Sequence, residues 1–173
     1  EEKLAEHKPS QYFAAIIDNR DRYHLELKNV EKTTAKVLGI NPKRVSARVF
    51  KDKATGIKQK ARVYGDIVAI KCLEDSGIHL ASASNLLKLQ KAIVNENPSV
   101  TRVLCTVSEA DRKQPYVIML RAVETEDFLT AQVADISWET LKHISDQILA
   151  ECKNVSSVYY DVTPKPPATI EME

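Results

Sequence analysis

An internal repeat limits the possible folds of this chain more than any other feature. The stretch IVAIKCLEDS (67–76) matches YVIMLRAVET (116–125) when shifted by one residue, with Lys71 opposite Arg121 and Glu74 opposite Glu124. SASNLLKLQKAIV (82–94) matches SWETLKHISDQIL (137–149), so that Leu86, Leu89, Ile93 and Val94 stand against Leu141, Ile144, Ile148 and Leu149. SVTRVLCTVS (99–108) matches NVSSVYYDVT (154–163). The first and third segments are β-branched and the middle one carries a helical apolar stripe, so each copy reads strand, helix, strand. Both helical segments open on a serine whose oxygen can accept an unpaired first-turn N–H. One apolar stripe per helix and β-branched strands predict a two-layer α+β domain. Charges at alternate strand positions predict an antiparallel or mixed sheet with helices on one face. They also predict that the other face is solvated or meets a second copy.

Ahead of the repeat, QYFAAIIDN (11–19) reads as a strand. Residues 21–40 have apolar positions at Tyr23, Leu27, Val30, Val37 and Leu38, the spacing of an amphipathic helix that Gly39 and Asn41-Pro42 would end. RVSARVF (44–50) reads as a strand, KDKATGIKQK (51–60) as a basic turn, and 61–73 as a strand kinked at Gly65. The organisation this implies is an N-terminal part over 1–66, a first repeat over 67–108, and a second repeat with the tail over 109–173.

Several function classes are disfavoured. With 25 basic against 24 acidic residues the net charge is +1, without the positive excess that bulk nucleic-acid binding needs. No apolar run is long enough to span a bilayer. The opening EEKLAEHKPS is polar, unlike a signal peptide, and does not begin with Met, which suggests a fragment or a processed chain. Cys72, Cys105 and Cys152 form no CxxC pair and read as buried reduced thiols of a cytoplasmic protein. His7, His24, His79 and His143 are scattered, so no metal site is expected. Four glycines leave no Gly-rich phosphate loop, and no GxSxG elbow occurs. The residues alone describe a binding or assembly domain.

The tail, YYDVTPKPPATIEME, is unusual. Pro164, Pro166 and Pro167 restrict the backbone around Lys165 and predict an extended segment that fixes one positive charge, suited to a phosphate. This ending closely resembles the C-terminus of the GMP synthase family, whose pattern is YD-[IVL]-[ST]-x-KPP-x-T-x-E-W-E. YVIMLRAVETEDFLTA (116–131) resembles the family's LRAVE-x-x-DFMTA strand. KATGIKQKARVYGDIVAI (53–70) is similar to its TGVKGDARTYGYVVAI segment, and SQYFAAI (10–16) to its glutamine-led strand. Most of the chain is covered apart from about 20–52, which reads as an insertion.

The resemblance implies the C-terminal dimerisation and XMP-binding domain of an enzyme that amidates XMP to GMP with ATP and glutamine-derived ammonia. It implies a homodimer working with ATP-pyrophosphatase and glutaminase domains or subunits, which would use ATP and Mg. No cofactor, nucleic acid or membrane is expected for this segment itself, and the isolated chain is expected to be inactive, because the SGGxDS loop and a glutaminase cysteine motif are absent. By resemblance, Lys165 contacts the nucleotide phosphate, Glu171 and Gln11 contact the same ligand, and Arg62 adds charge. Arg121 reads as structural. Two departures stand out: Gln59-Lys60 replaces a Gly-Asp pair, and Met172 replaces a tryptophan. They leave open a non-catalytic assembly module without XMP affinity, or part of a divergent ATP-dependent amidoligase.

Overall fold

The computed structural model describes residues 9–22 and 27–172. Tyr23, His7 and His24 therefore lie outside the described residues. The chain runs β1 (Ser10–Asp18), α1 (Leu27–Leu38), a 3₁₀ turn (Pro42–Arg44), β2 (Val45–Lys58), β3 (Ala61–Glu74) and β4 (Gly77–Ile78). It continues through α2 (Ala83–Glu96), β5 (Val100–Glu109), β6 (Tyr116–Glu124), β7 (Gln132–Val133), α3 (Trp138–Glu151) and β8 (Val155–Asp161).

The repeat is the plan of the molecule. Each copy is a strand–helix–strand crossover, β3–α2–β5 and β6–α3–β8, which brings its two strands side by side in parallel. Their registers match residue for residue. Val68–Val103, Ala69–Leu104 and Ile70–Cys105 in the first copy correspond to Ile118–Val158, Met119–Tyr159 and Leu120–Tyr160 in the second. Each copy gains one antiparallel outer strand, β2 on β3 and β1 on β6, and the copies join through the antiparallel pair β5–β8. The sheet order is β1-β6-β8-β5-β3-β2. This is the mixed-sheet α+β arrangement expected, with its helices on one face.

Period-two alternation divides the strands between two cores. Val68, Ile70, Cys72, Val103, Cys105 and Val107 point to the helices, where Leu86, Leu89, Ile93 and Leu141 pack on them. Their neighbours Ile67, Ala69 and Leu104 point the other way and pack with Ile17, Phe50 and Tyr159. The central part of the second face is therefore buried by the chain's own residues, whereas the alternating charges suggested a face that is solvated or meets a second copy. The sheet curls until its outer strands meet. The amides of Arg22 and Lys51 donate to the carbonyls of Val49 and Arg20 at 2.8 Å each, and Phe50 stacks edge-on to Tyr159 at 5.5 Å.

The two helices are capped as predicted: Ser82 Oγ accepts from the amide of Asn85, and Ser137 Oγ from that of Thr140. Their buried stripes differ. Leu89 is fully buried, whereas its counterpart Ile144 is 39% exposed. The physical reason is α1, which lies against α2, while among the described residues no helix takes the equivalent place beside α3.

Residues 51–58, read as a basic turn, instead complete a 14-residue strand. Only Gln59 and Lys60 turn, both at positive φ (50° and 64°), a two-residue connection whose backbone twist suits a hairpin. Gly65 does not kink β3; it lets β5 approach. A Cβ there would sit 2.4 Å from both the Ser99 carbonyl oxygen and the Thr101 methyl.

Cys72 and Cys105 are buried, but Cys152 is exposed just past α3. Burial pushes the Cys72 thiol up to about 11 and raises Cys105 as well. A native thiol titration with a disulfide reagent at pH 8 should count one reactive group, rising to three in denaturant. Rapid native reaction of two or three thiols would contradict this packing.

Candidate functional site

The tail is tied to the body of the domain by backbone and side-chain hydrogen bonds. Leaving β8, Thr163 is fixed twice: its amide donates to Asp161 Oδ1 at 2.9 Å, and its hydroxyl accepts from the amide of Val103 at 2.7 Å. Lys165 then exchanges two backbone hydrogen bonds with Ala131, at 2.9 and 3.0 Å. The proline run does not stay extended as expected. It turns back on itself, with the Ala168 amide donating to the Pro164 carbonyl at 3.0 Å, and the Lys165–Pro166 and Pro166–Pro167 bonds are cis. Next the Pro167 carbonyl accepts from the amide of Ile57 on β2 at 2.7 Å. That contact needs Gly56, where a Cβ would lie 2.6 Å from the Pro167 oxygen.

Beneath the tail sits a buried charge cluster. Asp161 Oδ2 bridges Arg102 at 2.9 Å and Arg121 at 3.0 Å, and all three side chains have no solvent exposure. Other guanidinium donors grip the tail, while Arg102 Nε is buried with no hydrogen-bond partner. Arg121 donates to the carbonyls of Thr163, Thr169 and Ile170 at 2.7–2.8 Å. Arg102 donates to Thr169 Oγ1 and the Glu171 carbonyl at 2.6 Å each. Burial pushes the Asp161 carboxyl up, but Arg121 and Arg102 outweigh it and hold the group below the usual carboxylate range. Two buried guanidinium groups share one carboxylate, and the tail carbonyls take up most of their other donors. Arg121 is thus structural, as read from sequence. Arg102 and Asp161 were missed. Their signal was available, a charge inside the apolar strands TRVLC and VYYDV.

On the helix side the start of the tail borders a cleft of about 670 Å³. Lys165 and Pro164 form one wall, the 130–136 segment another, and the first turns of α2 and α3 a third. The helix starts are locked together by Trp138, whose indole N–H donates to the Ala81 carbonyl at 2.7 Å. Tyr160 closes the floor, its hydroxyl donating to the Ala134 carbonyl at 2.8 Å. Lys165 Nζ donates to the Phe128 carbonyl at 2.6 Å, which uses one of its three protons and leaves two for a ligand. Two helix N-termini and a lysine around one cleft favour an anion, against the Asp135 carboxylate on the same lining.

The other sequence-derived positions do not line this cleft. Glu171 is exposed where the tail leaves Arg102, with its backbone carbonyl bound there. Gln11 pairs with Val123 on the outer strand β1, two residues beyond the Phe13–Arg121 pair. Arg62 pairs with Ile57, which holds Pro167, so it stands on the hairpin arm beside the tail. Glu171 stands near the end of the tail, Gln11 and Arg62 stand on strands, and Lys165 alone of the four borders the cleft. Among the described residues no group of three His, Cys, Asp or Glu side chains could hold a metal.

Residues 104–172 match the family model described as the GMP synthase C terminal domain. The chain carries a GMP synthase C-terminal domain. Over all 173 residues it is 35% identical to a glutamine-hydrolyzing GMP synthase subunit of Sulfurisphaera tokodaii, covering 40% of that protein. Over 134 residues, 78% of this chain and 34% of the relative, it is 40% identical to the subunit of the same name from Saccharolobus solfataricus. The glutamine-hydrolyzing GMP synthase of Clostridium botulinum (strain Eklund 17B / Type B) is 37% identical over 140 residues, 79% of this chain and 26% of that protein. The chain thus spans less than half the length of these relatives. The stretch matched by the family model begins in β5 and contains the whole second repeat and the tail, so the GMP synthase domain coincides with the half that bears Lys165 and the cleft's tail wall.

Proposed function

We propose that this chain is the XMP-binding portion of a GMP synthase, and that XMP is held through its phosphate at Lys165. The observation that carries the reading is Lys165, held by a doubly bonded backbone on the wall of a cleft large enough for a nucleotide. In this reading Lys165 and the first-turn amides receive the phosphate. Gln11, Glu171 and Arg62 lie outside the cleft, and of the four positions this reading gives the phosphate to Lys165. The domain's work is to hold and orient the purine. An ATP-pyrophosphatase part, with ATP and Mg, would supply adenylylation of the purine carbonyl oxygen with release of pyrophosphate, and ammonia from a glutaminase part would then displace that oxygen as AMP.

The test is a calorimetric titration of the 173-residue chain with XMP, with inorganic phosphate and IMP as comparisons. Saturable XMP binding tighter than that of phosphate supports the reading. An absence of heat up to millimolar XMP, repeated with the ATP-pyrophosphatase partner present, would leave an assembly module instead.

A further inference from the structure

The helix side of the sheet is covered unequally. The outer strands β1 and β2 hold equivalent places. Tyr12, Ala14 and Ile16 pair with Ala122, Leu120 and Ile118, while Val45, Ala47 and Val49 pair with the matching Cys72, Ile70 and Val68. Residues directly opposite in an antiparallel pair share a face, and these partners pack in the clusters under the helices. Burial separates the two strands. Val45 and Val49 are 6% and 2% exposed, in one cluster with Val30 and Ala35 of α1. Their counterparts Tyr12 and Ile16 are 70% and 71% exposed. Ile144, the counterpart of buried Leu89, is open as well. α1 lies against both α2 and β2, and among the described residues the equivalent place between α3 and β1 is vacant. Large apolar side chains on an outer strand mark a surface that something covers.

Chain order indicates what covers it. α1 leads into β2 through a single 3₁₀ turn, so the equivalent helix would lead into β1. Leu27 stands eighteen positions ahead of Val45, and eighteen positions ahead of Tyr12 lies beyond Glu1. The matched family model is that of a C-terminal domain, and the relatives are more than twice as long as the stretch they share with this chain. Their additional polypeptide therefore precedes the domain. Its point of entry is fixed beside the open face, where the Pro9 carbonyl accepts from the Thr125 amide at 3.0 Å.

We propose that an amphipathic helix in the polypeptide leading into β1 docks on the open face of β1 and α3, as α1 docks on β2 and α2. It would join this domain rigidly to the part of the enzyme that precedes it. Because β1 pairs with β6 at Phe13–Arg121, the same helix would brace the strand whose arginine holds the tail. The proposal is independent of where XMP binds.

The test is thiol accessibility in a Cys152→Ser background, which removes the exposed native cysteine. Ile16→Cys is the probe, and Tyr64→Cys, at a position 66% exposed on β3, is the comparison. Each is placed in the 173-residue chain, in that chain extended only by the segment that leads into β1, and in the full-length polypeptide. Both thiols should react rapidly with a disulfide reagent in the 173-residue chain. In the two longer forms Ile16→Cys should slow by at least about tenfold, as burial under a docked helix requires local opening before reaction, while Tyr64→Cys keeps its rate. Equal rates at Ile16→Cys in all three forms overturn the proposal. Slowing in the full-length polypeptide alone gives the face to another part of the enzyme and overturns it too. So does slowing in the 173-residue chain that grows with its own concentration, which gives the face to a second copy. As a second measurement, Tyr12→Glu should leave the melting temperature of the 173-residue chain unchanged and lower that of the extended form; equal effects on both contradict the docking.

Discussion

Asp161→Ala should be among the most destabilising single substitutions in this chain, by about 3–5 kcal/mol, because it strands two buried guanidinium groups. Asp161 is the only carboxylate paired with Arg102 and Arg121 in the described structure, and neither arginine has solvent to turn to. The loss spreads to the tail, since Asp161 also accepts the Thr163 amide and both arginines hold tail carbonyls. Urea denaturation should show a large fall in midpoint. Asp161→Asn is the sharper comparison. It keeps the shape and one acceptor but removes the charge, so a near-parental midpoint would show that the ion cluster contributes little. The same group sets an acid limit. Its folded value lies below the ordinary 3.8, so its contribution is fully present above the unfolded value. That contribution disappears only as pH falls below about 4 and through the folded value. In Asp161→Asn this part of the acid-induced loss should be missing. A parental stability already falling between pH 7 and 5 would need another group as its cause.

What the sequence revealed and concealed follows from the range of each interaction. The repeat predicted both crossovers and both serine caps, because helix stripes, strand alternation and first-turn hydrogen bonds are local. It even carried the register, since Ala69–Leu104 and Met119–Tyr159 fall at matching positions. The second half of β2 was hidden because Lys51, Asp52, Lys53 and Lys58 make it look like a loop. What makes it a strand is its partner β3 and the buried Ala54. The curled face was hidden for a related reason. Arg121 and Lys71 occupy equivalent positions on the same sheet face, but Arg121 is buried and Lys71 is partly exposed. Their difference is created by Asp161 and by the tail, which only Arg121 meets. A strand charge looks solvent-facing until its counter-charge, 40 positions along between Arg121 and Asp161, is brought beside it. The tail was recognised by its motif, while its path was not. Prolines restrict φ and leave the direction of the segment to the bonds from Ala131, Ile57 and the two arginines.

Lys165→Ala should be the most damaging change to ligand binding among the four sequence-derived positions. The lysine is set by its backbone, not by its neighbours' side chains: its amide and carbonyl are both bonded to Ala131. Truncation therefore removes the ammonium while leaving the tail in place. A charge-assisted hydrogen bond is worth about 1.5–3 kcal/mol, which corresponds to a rise in Kd of roughly ten- to a hundredfold. The melting temperature should hardly move, because the half-exposed side chain gives up only its bond to the Phe128 carbonyl. Lys165→Arg is expected to recover the affinity in part only, since a planar fork cannot reproduce a compact ammonium at the same stem length. The decisive comparison is between ligands. If Lys165 reads the phosphate, the variant loses the same factor toward XMP as toward any other purine 5′-monophosphate that the parent binds, and selectivity among bases stays constant. A loss confined to XMP would place Lys165 at the base rather than the phosphate. Undiminished binding would remove Lys165 from the site and shift attention along the tail to Glu171, Gln11 and Arg62, the positions that stand away from the cleft.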